Sequence, residues 1–392
     1  MPCAFPLCLR KVMRANIDVG LEVVGKVRTG QVTKLGKKPV SPRVFNAANG
    51  GQATIEHADA MSCYSEWAQP TAIISDGPYG LGKYPGEPNT ADALAEAYAP
   101  HVAEWARRAL PGTTLWFWCS EVGWAEVHGV LKTHGWRYKA AHIWDKGVGH
   151  VAGNSNGDTI RGLPVVTEIC VQYVRDAKLP NEDGELLPLK QWLREEWLRS
   201  GLPLYRTNEA CGVKNAATRK YFTQCDLWYF PPADKMCALA AYARKHGKET
   251  TRPYFSLDGK APLTERAWTD MRAKWNHIYG VTNVWNEPAV RGDERLKANG
   301  NGPKALHINQ KPLRLMDQII EVSTDAGDVV WEPFGGLCSA SVAAMRKGRQ
   351  AFAAEVIPEF YLAAVQRLDS ELREIDGRQS TTTASRTDRA RR

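Results

Sequence analysis

Within four residues, Asp76, Gly77, Pro78 and Tyr79 bring together a carboxylate, a flexible backbone position, a rigid turn and an aromatic ring. They follow Thr71-Ala72-Ile73-Ile74, a β-branched apolar run that reads as a short buried strand after the break at Pro70. A strand ending this way delivers its acid and ring to the C-terminal edge of a sheet, where open α/β folds bind ligands. Asp, Gly and Pro also make ordinary strand-terminating turns, so this stretch alone does not identify a site.

The second stretch is Trp331-Glu332-Pro333-Phe334-Gly335-Gly336-Leu337-Cys338-Ser339. Here a strand runs into a glycine pair and then a helix start, whose free N–H groups attract a carboxylate or phosphate. Glu355 ends the next strand, about 20 residues on, where an acid would hold a ribose diol. The spacing is neither G-x-G-x-x-G nor the lysine-containing phosphate loop, which weakens nicotinamide and ATP readings.

The elements around these stretches alternate between strand and helix. Expected strands cover 53–57, 71–74, 113–119, 138–144, 165–173, 328–333 and 350–355, with helices over 91–110, 124–133, 339–346 and 359–373. Such alternation argues for an α/β fold, a doubly wound and mostly parallel sheet. Between about Arg175 and residue 275 the pattern becomes helical and rich in Lys, Arg and Trp. The expected division is an arm over 1–44, a catalytic first half over 45–175, a helical insert over 176–275, a second half over 276–372 and a basic disordered tail over 373–392.

Composition narrows the class further. A net charge of +8 and pI near 8.9 lean toward a polyanionic partner. Nine cysteines without CxxC pairs indicate neither a zinc site nor a disulfide framework. No signal pattern opens the chain, and it lacks an apolar run of about 18 residues. The expectation is a soluble intracellular protein with reduced thiols and no membrane partner.

Asp76-Gly77-Pro78-Tyr79 resembles the Asp-Pro-Pro-Tyr signature of the amino-methylating DNA methyltransferases. Glu332-Pro333-Phe334-Gly335-Gly336 resembles their Asp-Pro-Phe-x-Gly cofactor loop, and His307-Ile308-Asn309-Gln310-Lys311-Pro312 is similar to the His-Pro-x-Gln-Lys-Pro element of the β-class. Trp144-Asp145-Lys146 and Thr167-Glu168-Ile169 resemble intermediate elements. The β-class order, with catalytic signature, target-recognition region and cofactor loop in turn, is the order found here.

The resemblance implies a fold of the S-adenosylmethionine-dependent methyltransferase type and this cofactor. It assigns Asp76, Gly77, Pro78 and Tyr79 to catalysis. The cofactor would meet Asp59, Lys311, Glu332, Phe334, Gly335, Gly336, Ser339 and Glu355. A flipped base would stack on Tyr79 and give its amine hydrogens to the Asp76 carboxylate and the Gly77 carbonyl. Adenine N6 is the expected target and cytosine N4 the alternative. Gly77, where the family has proline, and Cys338, where it has glycine, motivate a second alternative, a catalytically impaired DNA-binding relative. An RNA or protein amide substrate would fit the same tetrapeptide. Implied partners are double-stranded DNA, with room for a homodimer and a cognate restriction endonuclease. The implied setting is the cytoplasm of a bacterium, or a phage-encoded protein at the nucleoid.

Within the insert, Leu189–Arg199, Leu204–Cys211 and Lys214–Phe222 read as helices, the last two forming a helix-turn-helix. Lys214, Asn215, Thr218, Arg219 and Lys220 would lie on its recognition helix and meet base edges or phosphates. A hairpin that only packs against the sheet is the alternative. Trp192, Trp197, Trp228 and Trp268 are expected in its core.

Overall fold

The computed structural model describes residues 41–150, 162–225, 227–298 and 304–390, with side chains to 379. The first half supplies β1 (Arg43–Asn46), β2 (Gln52–Glu56), β3 (Ala72–Ser75), α1 (Leu94–Arg108), β4 (Thr114–Cys119), α2 (Glu121–Thr133), β5 (Trp136–Asp145) and β6 (Thr167–Arg175). The insert contributes the hairpin β7 (Lys178–Pro180) and β8 (Leu186–Pro188). Helices α3 (Leu189–Arg199), α4 (Arg206–Ala210), α5 (Ala216–Tyr221), α6 (Ala233–His246) and α7 (Glu265–Asp270) follow. The chain closes through β9 (Val284–Asn286), α8 (Leu313–Ser323), β10 (Val329–Glu332), α9 (Ser339–Arg346), β11 (Gln350–Ala354) and α10 (Pro358–Ala390).

Nine strands form one sheet in the order β1-β2-β11-β10-β3-β4-β6-β5-β9. All run parallel except β1 and β6. Alternation sorts the side chains into two layers. Ile73, Leu115 and Phe117 face a core shared with α1 and α2, through Tyr98, Trp105, Val127 and Leu131. Ile74, Trp116 and Trp118 face the other core, where α8, α9 and α10 supply Ile319, Ile320, Val342 and Leu368. Strand β4 is buried along its whole length, as its run Thr-Leu-Trp-Phe-Trp-Cys requires.

Chain direction reverses between β3, which leads outward to β4, and β10, which leads the other way to β11. A crevice therefore opens between the C-terminal ends of β3 and β10, the switch point where such sheets bind ligands.

The expected α/β doubly wound sheet is present, with three differences. Strand β6 is antiparallel, pairing Thr114 with Val174 and Cys119 with Ile169. Its local pattern matches a parallel strand, so only the pairing reveals the direction. The closing helix continues to Ala390 instead of giving way to a disordered tail at 373, because Leu372 and Ile375 still pack on the core. Most of the expected arm over 1–44 lies outside the described residues, although Arg43–Asn46 pairs with β2 as an edge strand.

The insert packs around its own core of Trp192, Trp197, Trp228, Phe255 and Trp268. Each of the four indole N–H groups donates to a backbone carbonyl: Trp192 to Pro180, Trp197 to Pro203, Trp228 to Tyr221 and Trp268 to Pro231. The tryptophans are thus structural, as expected. The insert leaves the sheet after Arg175, at the end of β6 beside Thr114. It returns there too: Lys274 pairs with Asp328 at 2.6 Å, just before β10. Both ends therefore sit at the edge opposite Asp76, separated from it by the length of β6, about 26 Å at about 3.3 Å per residue.

Candidate active site

Beyond β3 the chain turns at Asp76 into a loop braced by Glu87. The carboxylate of Glu87 accepts from the backbone N–H of Tyr79 at 2.9 Å and of Lys83 at 2.8 Å. The hydroxyl of Tyr98 on α1 donates to the Pro78 carbonyl at 3.1 Å. Gly77 packs against Phe334 and Tyr98: a Cβ there would stand 2.5 Å from the Phe334 ring and from the Tyr98 hydroxyl. The glycine in place of proline is therefore what lets Phe334 close against the catalytic loop.

A charged network fixes Asp76. The buried ammonium of Lys311 donates to its Oδ1 at 2.7 Å and to Glu168 Oε1 at 2.9 Å. Lys146 donates to Glu168 Oε2 at 2.8 Å. The Tyr79 hydroxyl reaches Asp76 at 3.0 Å and also donates to Glu168. Burial alone would raise the Glu168 carboxyl, but Lys311 and Lys146 outweigh it and hold it down at about 2. Burial opposes the Lys311 charge as well, yet the two carboxylates push its pKa above the ordinary lysine value. For Asp76 burial is the largest influence and raises its pKa, with Lys311 pulling the other way. Lys311 also lies over the Tyr79 ring, 5.3 Å from its centroid.

Beside this network lies a cleft of about 460 Å³. It brings together Asp59, Asp76, Gly77, Pro78, Tyr79, Phe334, Gly336 and Glu355 from the expected site. Glu355 is locked in place, its Oε2 accepting from Gly336 N–H at 2.6 Å and its Oε1 from Ile357 N–H at 2.7 Å. Burial raises its pKa. Each oxygen keeps a lone pair for a ligand hydroxyl. Tyr84, His307 and Phe360 form an aromatic wall, with Tyr84 stacked on His307 at 5.2 Å. Burial, and then the Lys311 charge, lower the His307 imidazole to about 4.

Four residues expected at the cofactor are absent from the cleft lining. Glu332 caps α9, accepting from Ala340 N–H at 3.0 Å, Ser341 N–H at 2.8 Å and the Ser341 hydroxyl at 2.6 Å. The hydroxyl of Ser339 is taken by the Lys311 carbonyl and the Arg367 guanidinium. Gly335 packs under Ala354, and Lys311 belongs to the Asp76 network. Cys338 turns its buried side chain into the core, so it does not crowd the cleft. It does so at φ +54, a left-handed position that suits the glycine of the family pattern.

Sequence reasoning missed the pairing roles of Glu168, Lys146 and Lys311. The signal was present in Trp144-Asp145-Lys146 and Thr167-Glu168-Ile169, which the resemblance picked out without giving them a task. In the insert, Lys214, Asn215, Arg219 and Lys220 are exposed. Thr218 is not free to read a base, since its hydroxyl bonds Thr207 at 2.7 Å and its N–H bonds Asn208. Helices α4 and α5 are only five and six residues long. They also hang from the edge opposite Asp76, which removes the expected recognition helix from the vicinity of the reacting base.

A DNA methylase family model, covering the N6 and N4 group, matches residues 71–366. The DNA adenine methyltransferase YhdJ of Escherichia coli K12 is 31% identical over 125 residues, 29% of this chain and 40% of that relative. Among solved structures, a DNA modification methylase from Thermus thermophilus, complexed with S-adenosyl-L-methionine, aligns with TM-score 0.42 and 15% identity. It covers 81% of this chain and 93% of its own. The cytosine-N4-specific PvuII DNA methyltransferase aligns with TM-score 0.44 and 9% identity, over 87% and 96%.

Proposed function

The chain belongs to the DNA methylase family, and on that premise we propose that it transfers a methyl group from S-adenosylmethionine to adenine N6 in DNA. The observation that carries this reading is Asp76, held by Lys311 and Tyr79 at the mouth of the cleft that Glu355 and Phe334 complete. The cleft fits the cofactor: Glu355 offers acceptors for a ribose diol, Asp59 an acceptor beside it, and Phe334 and the Tyr84–His307–Phe360 wall offer apolar faces. When bound, the cofactor supplies an electrophilic methyl on sulfonium.

The chain's own residues do the rest by positioning and electrostatics. Both internal bonds to Asp76 fall on Oδ1, which leaves Oδ2 to accept one amine hydrogen. The Gly77 carbonyl accepts the second. With both hydrogens engaged, the nitrogen lone pair points at the methyl for in-line transfer. A base inside the duplex cannot reach this cleft, so it must flip out of the stack. It would stack on the Tyr79 face away from Lys311, worth about 1–3 kcal/mol.

Incubation of duplex DNA with tritiated cofactor, then digestion to nucleosides and mass spectrometry, tests the reading. N6-methyladenine is the expected product. Label in N4-methylcytosine would reassign the base, and no label would leave a DNA-binding relative without activity.

A further inference from the structure

At the edge opposite Asp76, a second cleft of about 590 Å³ opens between the sheet and the insert. Six cations from five elements line it: Lys132, Arg137, Lys139, Arg175, Lys178 and Lys190. Its one carboxylate, Asp176, is paired to Arg137. No ion pair among the described residues neutralises the other five. Arg175 donates to the His134 carbonyl, and Lys190 to the carbonyls of Gln224 and Cys225. Backbone carbonyls orient these groups without cancelling their charge.

Aromatic rings are interleaved with the cations. Tyr138 is 43% exposed inside this basic frame, leaving a ring face open to a planar ligand. Trp136, 1% exposed, also lines the cleft, and its indole N–H has no acceptor. A buried donor without a partner costs free energy that an incoming oxygen would recover. Cations around open aromatic faces are the composition that binds single-stranded nucleic acid.

We propose that this cleft binds a single nucleic-acid strand, its phosphates on the lysines and a base on Tyr138, remote from the site of methyl transfer. A strand fits better than a lone nucleotide because the cations continue past the cleft. Trp228, which lines it, donates to the Tyr221 carbonyl, and Tyr229 N–H donates to that of Lys220. These bonds tie the cleft wall to α5 and its exposed Lys214, Arg219 and Lys220. Spaced cations of this kind match a repeating phosphate chain.

A labelled twenty-nucleotide oligothymidylate tests this, since thymine has no exocyclic amine and its binding is read whether or not the chain methylates DNA. Fluorescence anisotropy on the full chain should give a Kd that rises steeply with salt. Lys132→Gln, Lys139→Gln and Lys178→Gln together should weaken binding at least about tenfold and lower the salt slope by about 2. The corresponding triple Arg variant should retain binding. Tyr138→Ala should cost at least about fivefold. Cys225, exposed on the cleft wall, should be shielded from maleimide by the oligonucleotide. Wild-type affinity and slope in the Gln variant would overturn the proposal, as would unprotected Cys225. Competition by thymidine monophosphate at equal nucleotide concentration would replace the strand with a small-molecule site and overturn it too.

Discussion

The two edges of the sheet handle charge in opposite ways. At the catalytic edge, Asp76, Glu168, Lys311 and Lys146 satisfy one another within hydrogen-bonding distance. At the far edge, Lys132, Lys139 and Lys178 have no counter-ion among the described residues. A closed network holds a geometry, whereas an open set of like charges waits for a ligand. Charge at the first edge should therefore register as stability and rate, and charge at the second as affinity and salt dependence.

Lys311→Met should break the contrast most severely. It strands two carboxylates around a buried apolar side chain, so we expect a loss of about 3–5 kcal/mol in denaturant unfolding. A loss below about 1 kcal/mol would mean that the network is not what holds the catalytic edge. Asp76→Ala should lower kcat by about 10²–10³ while calorimetry shows cofactor binding unchanged, because it removes an acceptor used during transfer. Turnover like wild type would remove Asp76 from the reaction.

Glu332 sharpens the contrast through pH. Burial pushes its carboxyl up to about 7, against the N–H and hydroxyl groups of Ala340 and Ser341. Between an ordinary value near 4.5 and about 7, the fold keeps a proton that the unfolded chain has released. This group's contribution thus falls as pH rises through that window, by up to about 3 kcal/mol, and is flat outside it. The stability difference between wild type and Glu332→Gln should follow that course. A pH-independent difference would show the carboxylate to be ionised throughout. The smallest effect is expected in the insert. Substituting Lys214, Arg219 and Lys220 should weaken duplex binding by no more than about tenfold and flatten its salt dependence. Saturating kcat should stay constant, and a fall would place the hairpin at the reacting base.

The sheet was legible wherever burial wrote a continuous apolar run. The run at 113–119 became β4, and α3 and α9 have the expected bounds of 189–199 and 339–346. Strand β9 was not legible, because three residues exposed at both ends carry almost no pattern. Helix α8 was missed despite its apolar Leu315, Met316, Ile319 and Ile320, since the motif at 307–312 drew attention from the residues behind it. In the site, the resemblance located the Glu332 position but not its side-chain direction, which depends on N–H groups eight and nine residues later. The link between Asp76 and Lys311 spans 235 residues, and only the fold brings them together.

Gly112 has a consequence for how such a chain can change over time. Its N–H donates to the Arg175 carbonyl at 2.8 Å, and a Cβ on it would stand 2.8 Å from the Arg272 carbonyl group. Departure and return of the insert thus converge on a single residue at φ +86, a conformation that glycine adopts freely. A segment whose two ends meet at one point behaves as a detachable cassette. It could lengthen, shrink or be exchanged for another while the sheet, and Asp76 at its other edge, kept their places. In this architecture, what the enzyme holds can diversify independently of what it does.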